Sequence, residues 1–595
     1  MSQHQPRHFK QTPRNTGEAA ARVATDGRAL PSRPSHAPAG MTAAFRPVRA
    51  GGRFAEASAP APQEPEPSPS EQQAKVGSNA ALMSFFVVIS RLTGFFRTWG
   101  QAYAIGVTVM ASCYTIANNL PNQLYELVVA GMLTTAFLPV YMSVKKKSGL
   151  PGASAYASNL VSVVLLLMGV VAVLGFVFAA QLVYTQSFTA TEEFDFDLTV
   201  YFFRFFVIDV VLYALSSIFS GILNAERNYL WSSAAPIFNN FVTTSAYFAY
   251  AFLAPTNAEL ALIVLAVGNP LGVATQVLVQ LPAVRKSGIR LRLRINWRDP
   301  LLKETVKIGA PSIIFMLTSF VTLSVQTTSS LSVVATGASI TYYARLWYTL
   351  PYAILTVPIT TAMFTELSDS WASRKVDAFK RGISSGAGQI LFFMLPFALY
   401  LIVFSVPLIS VLAAGKFSSD ALGMTASYLA TYAISLPGYA LCMYLQKVVS
   451  AMRRMVLSAC ASVVAAGVQV VALLTLTPVF GLNFVAFSST LYFIVLGIVM
   501  LVSLRVTLGP VGFGGLFAGA LRSLALGALG ALAGALILRL LNVALGDCTG
   551  VPTRSVLYCV LAGLPALAVT YGTALALKVP EASLVRSIVR RVTRR

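Results

Sequence analysis

Two arginines interrupt an apolar segment that is long enough to cross a bilayer. Arg91 and Arg97 lie within residues 84–104, where an ionised side chain costs several kcal/mol unless it faces a wet cavity or a partner. A helix turns about 100° per residue, so the two guanidiniums stand about 120° apart on one broad wall. Arginine keeps its proton and offers a fork of donors that matches phosphate. The pair therefore predicts a cavity for an anionic cargo; the alternative for Arg97 is a side chain that snorkels to the interface.

Further charged side chains at membrane depth leave more than one interpretation open. Glu126 either pairs with one of the arginines or is a protonated carboxyl. Asp209 lies five residues after Arg204, which is a poor pairing distance on one helix. It therefore either contacts another helix or serves as a cation and coupling site, a role for which Glu126 is the second candidate. Arg345 is a binding candidate in the second half of the chain, and the amides that we add to the substrate-binding candidates are Asn118 and Asn122.

Length and composition place the chain among polytopic membrane proteins. It has 595 residues, of which 56% are hydrophobic and 11% are charged, and its mean hydropathy is +0.69. These values are far outside the range of soluble globular proteins. The net charge of +22 does not indicate nucleic-acid binding, because most of it falls in tails and loops beside apolar segments.

The residue inventory argues against an enzyme and against a metal site. All three histidines lie in the first 36 residues, and the five cysteines show no paired or metal-binding spacing. Neither a phosphate-binding Gly-rich loop nor a recognisable catalytic motif is present. We therefore predict a transporter without a cofactor, which draws on the membrane potential or on a Na⁺ or H⁺ gradient, or runs down the gradient of its substrate.

Apolar segments predict about fourteen transmembrane helices, and the loops predict their orientation. Lys and Arg are concentrated in alternate connections, which places both termini in the cytoplasm. The Leu-Pro of residues 120–121 is repeated at 350–351, which favours two pseudo-symmetric six-helix lobes followed by two further helices. The predicted parts are a disordered cytoplasmic tail (1–77), an N-lobe with six helices (78–300), a C-lobe with six helices (301–508), two C-terminal helices (509–580) and a basic cytoplasmic tail (581–595).

Motifs that occur in order along the chain resemble one family. The octet SRLTGFFR at residues 90–97 is similar to the first-helix signature of the MurJ (MviN) lipid II flippases, in the multidrug/oligosaccharidyl-lipid/polysaccharide exporter superfamily. Further matches are LPN at 120–122, TAFLP at 135–139, ILNA at 222–225, QLPA at 280–283, GAP at 309–311, YYARL at 342–346 and GKF at 415–417. The resemblance extends over about residues 78–505.

The resemblance implies a bacterial multi-pass protein of the cytoplasmic membrane. Its expected activity is to flip undecaprenyl-pyrophosphate-linked peptidoglycan precursor (lipid II) from the inner to the outer leaflet, by alternating access around a cationic cavity. Ser90, Arg91, Arg97 and Ser339 match cavity residues of the family. The last two helices are expected to form a groove for the lipid tail. Expected partners are the polyprenyl-pyrophosphate lipid, the bilayer and, through the N-terminal tail, cell-wall synthesis proteins.

Three positions depart from the family pattern. Ser112 stands where an acidic residue is usual, Tyr125 replaces an arginine, and Arg345 falls one residue before the usual arginine. These changes remove charge from the expected cavity and keep other cargoes open. The alternatives are a flippase for another polyprenyl-linked glycan, a multidrug exporter driven by Na⁺ or H⁺, and a membrane scaffold that transports nothing.

Overall fold

The computed structural model describes residues 69–130, 137–309, 311–510, 512–583, 585–587 and 590. Within these ranges the chain is almost entirely helical and contains no β-strand. The predicted tail lies mostly in residues 1–68, outside the described part of the chain. Its last residues, 69–77, are helical, because Pro69 suits the first position of a helix and several strong helix formers follow it.

The first half of the described chain contains eight helices. They are α1 (Pro69–Ile105), α2 (Val109–Tyr125), α3 (Leu138–Val177), α4 (Ala179–Tyr184), α5 (Phe196–Phe206), α6 (Asp209–Ala225), α7 (Tyr229–Leu253) and α8 (Ala258–Lys286). Several begin at side-chain caps: the carboxylate of Asp195 accepts a hydrogen bond from Leu198 N at 2.8 Å, and Asn257 Oδ1 accepts one from Leu260 N at 3.0 Å. Non-helical Gly149 divides α3, and its first part overlaps residues 110–143, which are the second span that the sequence predicts.

The second half contains a short helix followed by the remaining spans. These helices are α9 (Pro300–Gly309), α10 (Pro311–Leu331), α11 (Gly337–Pro351), α12 (Val357–Ala372), α13 (Val376–Val403), α14 (Ser405–Ser410), α15 (Ser419–Ala433), α16 (Leu436–Ala451), α17 (Met455–Phe480), α18 (Leu482–Leu508), α19 (Phe513–Leu545) and α20 (Pro552–Ala576). A 3₁₀ turn follows at Pro580–Ala582. The two predicted Leu-Pro positions also match in structure, because a π-helical turn lies close after each, at Glu126–Ala130 and Tyr352–Thr356.

Ten segments of the described chain are long and apolar enough to cross a membrane. Helices α1, α2 and α7 and the pair α15–α16 are four further candidates for the predicted spans. The all-α polytopic class is therefore confirmed, and the arrangement is consistent with fourteen spans. Buried residues form one large cluster that comes mostly from α2–α8 and a second that comes mostly from α11–α18, so each half of the spans packs largely around its own core.

The two halves meet at one end of the helices. Ser339 N donates to Ser112 Oγ at 3.2 Å, Tyr343 OH donates to the carbonyl of Gly106 at 3.0 Å, and Lys416 N donates to the carbonyl of Tyr103 at 3.3 Å. The hydroxyls of Thr189 and Thr328 also pair there, 2.9 Å apart. We call these contacts the interlobe seam. They involve the end of α1, the start of α2, the α4–α5 and α14–α15 connections, the end of α10 and the start of α11.

Two glycines permit the closest approach in the seam. Gly106 has φ +58° and Gly415 has φ +64°, a backbone conformation that side chains disfavour. A Cβ on Gly106 would lie 2.3 Å from the carbonyl oxygen of Lys416, and a Cβ on Gly415 would lie 2.1 Å from that of Tyr103. Both positions therefore require glycine for steric as well as conformational reasons.

Candidate functional site

Arg97 lies in a narrow polar cleft where helices from both halves meet. Its side chain is half-buried, and within the described residues its Nε has no hydrogen-bond partner. The cleft has a volume of about 10 Å³, roughly enough for one water. The residues that line it are Arg97, Gln101, Tyr114, Thr115, Asn118, Asn119, Tyr247, Asn269 and Tyr342. The guanidinium is thus held among neutral polar groups and has donor capacity to spare.

Neutral hydrogen bonds fix the wall beside Arg97. Gln101 is 3% exposed, its Nε2 donates to Thr115 Oγ1 at 3.5 Å, and its Oε1 lies 3.1 Å from the hydroxyl of Tyr247. That hydroxyl also lies 3.3 Å from the hydroxyl of Tyr114. Because this network joins α1, α2 and α7 without a carboxylate, it positions the arginine and leaves its charge uncompensated by an ion pair.

Ser90 and Arg91, the other two site candidates from the first-helix motif, are not among the residues that line this cleft. The carbonyl of Ser90 accepts hydrogen bonds from Asn240 Nδ2 at 3.3 Å and from Thr93 Oγ1 at 3.0 Å. Arg91 is exposed and is not among the residues that line the cleft. The turn of the helix between positions 91 and 97 accounts for the separation.

Three candidates follow one another on α2 and its continuation. Asn118 lines the Arg97 cleft, and Asn122, one turn later, donates from Nδ2 to Glu126 Oε1 at 3.0 Å. Glu126 is exposed at the first residue of the π-helical turn. Within the described residues its carboxylate has this amide as partner and forms no ion pair with an arginine.

Arg345 lies at a separate cavity inside the second half. This cavity has a volume of about 190 Å³, and tyrosine, glutamine and serine side chains contribute much of its wall. Arg345 itself is exposed. Tyr342, three residues earlier on the same helix, lines the Arg97 cleft instead. Helix α11 therefore contributes to the wall of both spaces, and the structure does not bring Arg97 and Arg345 into one cavity.

Ser339 and Asp209 are both buried in helix contacts. Ser339 belongs to the interlobe seam, where it meets Ser112. Asp209 is 1% exposed and accepts a hydrogen bond from Asn269 Nδ2 at 2.8 Å. Arg204 is exposed and places its guanidinium 5.6 Å from the ring of Phe176, so it does not pair with Asp209. The helical partner of Asp209 is therefore a neutral amide on α8.

An apolar groove lies beside α11, at the side of the second half. Its volume is about 280 Å³ and its wall comes from α11, the π-helical turn after it, α13, α14 and α20. Trp347 and Ile354 form one side, Phe397 and Phe404 another, and Leu567 of α20 closes it. Helix α20 thus completes the groove.

Sequence analysis missed some residues that the cleft brings together. Gln101, Tyr114 and Tyr247 are polar side chains inside apolar segments. This polarity is the sequence signal that could have identified them as site residues. No group of three potential metal ligands occurs within the described ranges, and the cysteines described are free.

Comparison with known proteins identifies the family. The sequence profile described as "Lipid II flippase MurJ" matches residues 101–548, which is most of the chain. The chain belongs to the MurJ family. Members of this family are transporters and not enzymes, and the apolar helices make this chain a multi-pass protein of the inner membrane.

Individual relatives agree with this assignment. A probable lipid II flippase MurJ of Rhizobium meliloti is 28% identical over 362 residues, which are 59% of this chain and 66% of that protein. The aligned part is thus just under two thirds of that relative. The lipid II flippase MurJ of Burkholderia cenocepacia is 26% identical over 60% of this chain and 69% of its own length.

Solved structures show the same fold at low sequence identity. A lipid II flippase MurJ in an inward closed conformation superposes with a TM-score of 0.66 and 18% identity, covering 84% of this chain and 99% of that one. An inward-facing multidrug resistance MATE transporter of the MOP superfamily gives a TM-score of 0.56 and 13% identity, covering 72% and 94%. The fold of this chain is therefore shared with both.

Proposed function

We propose that this MurJ family member flips lipid II from the inner to the outer leaflet. The observation that carries the proposal is the half-buried guanidinium of Arg97, whose Nε has no partner within the described residues. A diphosphate headgroup that crossed lipid bare would lose its hydration at a cost of many kcal/mol. A fixed guanidinium replaces part of that hydration with charge-assisted hydrogen bonds.

The headgroup reaches Arg97 when the two halves move apart. The cleft now has room for about one water, which is far too small for a glycosylated diphosphate. The interlobe seam joins the halves at the end away from the basic loops. Alternating access follows if this end opens while the opposite end closes. Ser90, Arg91, Asn118, Asn122, Glu126, Ser339 and Arg345 are the further residues that we assign to the path of the cargo.

The polyprenyl chain stays in the membrane and occupies the apolar groove beside α11. Phe397, Phe404 and Leu567 offer the aliphatic and aromatic contacts that suit an isoprenoid. Because α20 forms one wall, residues 509–580 serve as the lipid-tail unit, next to an N-lobe at 78–300 and a C-lobe at 301–508. Both termini lie in the cytoplasm, where the N-terminal tail has access to cell-wall synthesis proteins, and the basic loops support this orientation.

Transport requires no cofactor and uses the membrane potential or an ion gradient. One elementary charge moved through 100 mV is worth about 2.3 kcal/mol. The membrane potential therefore biases the return of the empty protein, because its cavity carries the uncompensated charge of Arg97. In the cargo-bound protein the diphosphate compensates that charge.

Depletion combined with Arg97 variants tests the function. Loss of the protein should leave lipid II on the inner leaflet, and Arg97→Ala should lower flipping by about tenfold or more, because a charge-assisted hydrogen bond is lost. Arg97→Lys should lose less of the flipping activity, since lysine keeps the charge but lacks the forked donors of the guanidinium. Arg204→Ala is the matched control, because that arginine lies over Phe176 and outside the cleft.

Three results would contradict the proposal. If Arg97→Ala flips lipid II as fast as the wild type does, the guanidinium has no role in transport. Normal lipid II distribution with altered surface glycan after depletion would indicate another polyprenyl-linked cargo. Drug sensitivity alone would indicate a multidrug exporter.

A further inference from the structure

The connection between α8 and α9 contains an extended segment that hydrogen bonds hold along α3. Backbone N–H groups of alternate residues donate to serines that lie four residues apart on that helix: Arg290 N to Ser154 Oγ at 3.4 Å, Arg292 N to Ser158 Oγ at 3.1 Å, and Arg294 N to Ser162 Oγ at 2.9 Å. Four helical residues rise about 6 Å and two extended residues rise about 6.6 Å, so the two repeats stay in step. We call residues 290–298 the strap.

The strap reverses its direction after Arg294. Asn296 N donates to Asn159 Oδ1 at 2.7 Å, and Asn159 Nδ2 donates to the carbonyl of Asn296 at 3.1 Å. Asn159 precedes Ser162 on α3, so the chain has turned back along the helix at this point. Residues 163–183, which follow Ser162, carry no charged side chain and are about long enough to cross a bilayer. The reversal therefore lies at the level where α3 enters the membrane.

Arginines alternate with large apolar side chains along the strap. The apolar side chains are unusually exposed for their size: Leu293 is 87% exposed, Ile295 is 52% exposed and Trp297 is 55% exposed. The basic side chains are exposed as well, and none of them forms an ion pair within the described ranges; they are Arg290, Arg292, Arg294 and Arg298. The strap thus offers uncovered apolar surface and unpaired positive charge at one level of the protein.

We propose that the strap binds anionic phospholipids of the leaflet opposite the interlobe seam. Helix α3 begins at that leaflet, because the α4–α5 connection beyond its far end belongs to the seam. The guanidiniums bind lipid phosphates through charge-assisted hydrogen bonds. Leu293 and Ile295 enter the acyl region, and Trp297 lies at the boundary that tryptophan favours. An acidic soluble protein would account for the arginines, but the exposed apolar side chains at the membrane boundary favour lipid.

The fluorescence of Trp297 tests this contact directly. The full-length protein is placed in phosphatidylcholine nanodiscs that contain brominated phosphatidylglycerol or, at equal mole fraction, brominated phosphatidylcholine. The emission that Trp297→Phe removes from the wild type reports this one side chain. We expect brominated lipid to quench it strongly and aqueous iodide to quench it weakly. One basic residue near an anionic surface is worth about fivefold in affinity, so brominated phosphatidylglycerol should quench at a several-fold lower mole fraction than brominated phosphatidylcholine.

Removal of charge from the strap should abolish the preference for the anionic lipid. In the triple variant Arg292→Gln, Arg294→Gln, Arg298→Gln the two brominated lipids should quench at about equal mole fractions. The matched control removes three exposed arginines of the second half and should keep the preference; it is Arg374→Gln, Arg453→Gln, Arg454→Gln. Higher ionic strength should weaken the preference in the protein with its native strap, which needs no substitution of the arginines.

Three outcomes would overturn the proposal. Strong quenching by iodide without quenching by brominated lipid would show that Trp297 faces water. Quenching by neither would indicate that protein covers the strap. Equal quenching by both brominated lipids in the wild type would show a lipid contact in which the arginines select no anionic headgroup. The proposed flipping of lipid II does not depend on any of these results.

Discussion

Gly415→Ala should open the interlobe seam, whereas Gly481→Ala should not. Both glycines have positive φ, +64° and +68°, so both substitutions carry a conformational cost of about 1–3 kcal/mol. Around Gly481 no atom lies within 4 Å of the added Cβ, but at Gly415 the Cβ would lie 2.1 Å from the carbonyl oxygen of Tyr103. That backbone oxygen cannot turn away as a flexible side chain can. The connection must therefore retreat and lose the 3.3 Å hydrogen bond from Lys416 N.

The difference between the two variants gives the size of the effect. A lost hydrogen bond is worth about 1 kcal/mol, and lost contact around it brings the seam penalty to about 1–2 kcal/mol. Because 1.4 kcal/mol corresponds to a factor of ten, the closed fraction of Gly415→Ala should fall by about tenfold relative to the open fraction. Gly481→Ala should lower the stability of the protein and leave the closing of the seam unchanged.

Disulfide trapping across the seam measures this change. The Oγ atoms of Ser112 and Ser339 lie 3.4 Å apart, so the double variant Ser112→Cys, Ser339→Cys should cross-link when the seam is closed. Because the cross-linking rate follows the closed fraction, we expect it to fall by up to about tenfold when Gly415→Ala is added and to stay unchanged with Gly481→Ala. Single-cysteine variants control for pairing with the native cysteines. Equal rates in both glycine variants would refute the assigned steric role of Gly415.

Two further substitutions test contacts that the structure assigns. Thr328→Val should destabilise the seam by about 1–3 kcal/mol, because the backbone N–H of Thr189 loses its acceptor, Thr328 Oγ1, and the hydrogen bond between the two hydroxyls is lost. An unchanged cross-linking rate in the Ser112→Cys, Ser339→Cys background would contradict this expectation. Glu226→Gln should lower the apparent Tm of the purified protein, by the equivalent of about 1–3 kcal/mol, because Lys145 at 2.6 Å loses its counter-ion; an unchanged Tm would show that the pair contributes nothing.

Local sequence signals established the class of protein and part of the candidate site. Apolar runs that are long enough to cross a bilayer identify the spans, because a segment in lipid must form its backbone hydrogen bonds within its own helix. The cost of a charge in that environment singled out Arg97 before any fold was known. The repeated Leu-Pro predicted a correspondence between the halves, which the two π-helical turns show. These inferences succeed because hydropathy and charge act on each helix separately.

Only the tertiary structure decided which side chains share a space. Asn118 and Tyr247 meet Arg97, whereas Arg345 faces a different cavity. Asp209 finds its partner sixty positions away, at Asn269 on a helix that packs beside its own. Such pairings depend on the rotation of each helix and on which helices become neighbours. Both are set by packing across the whole bundle, and no local pattern of residues encodes them.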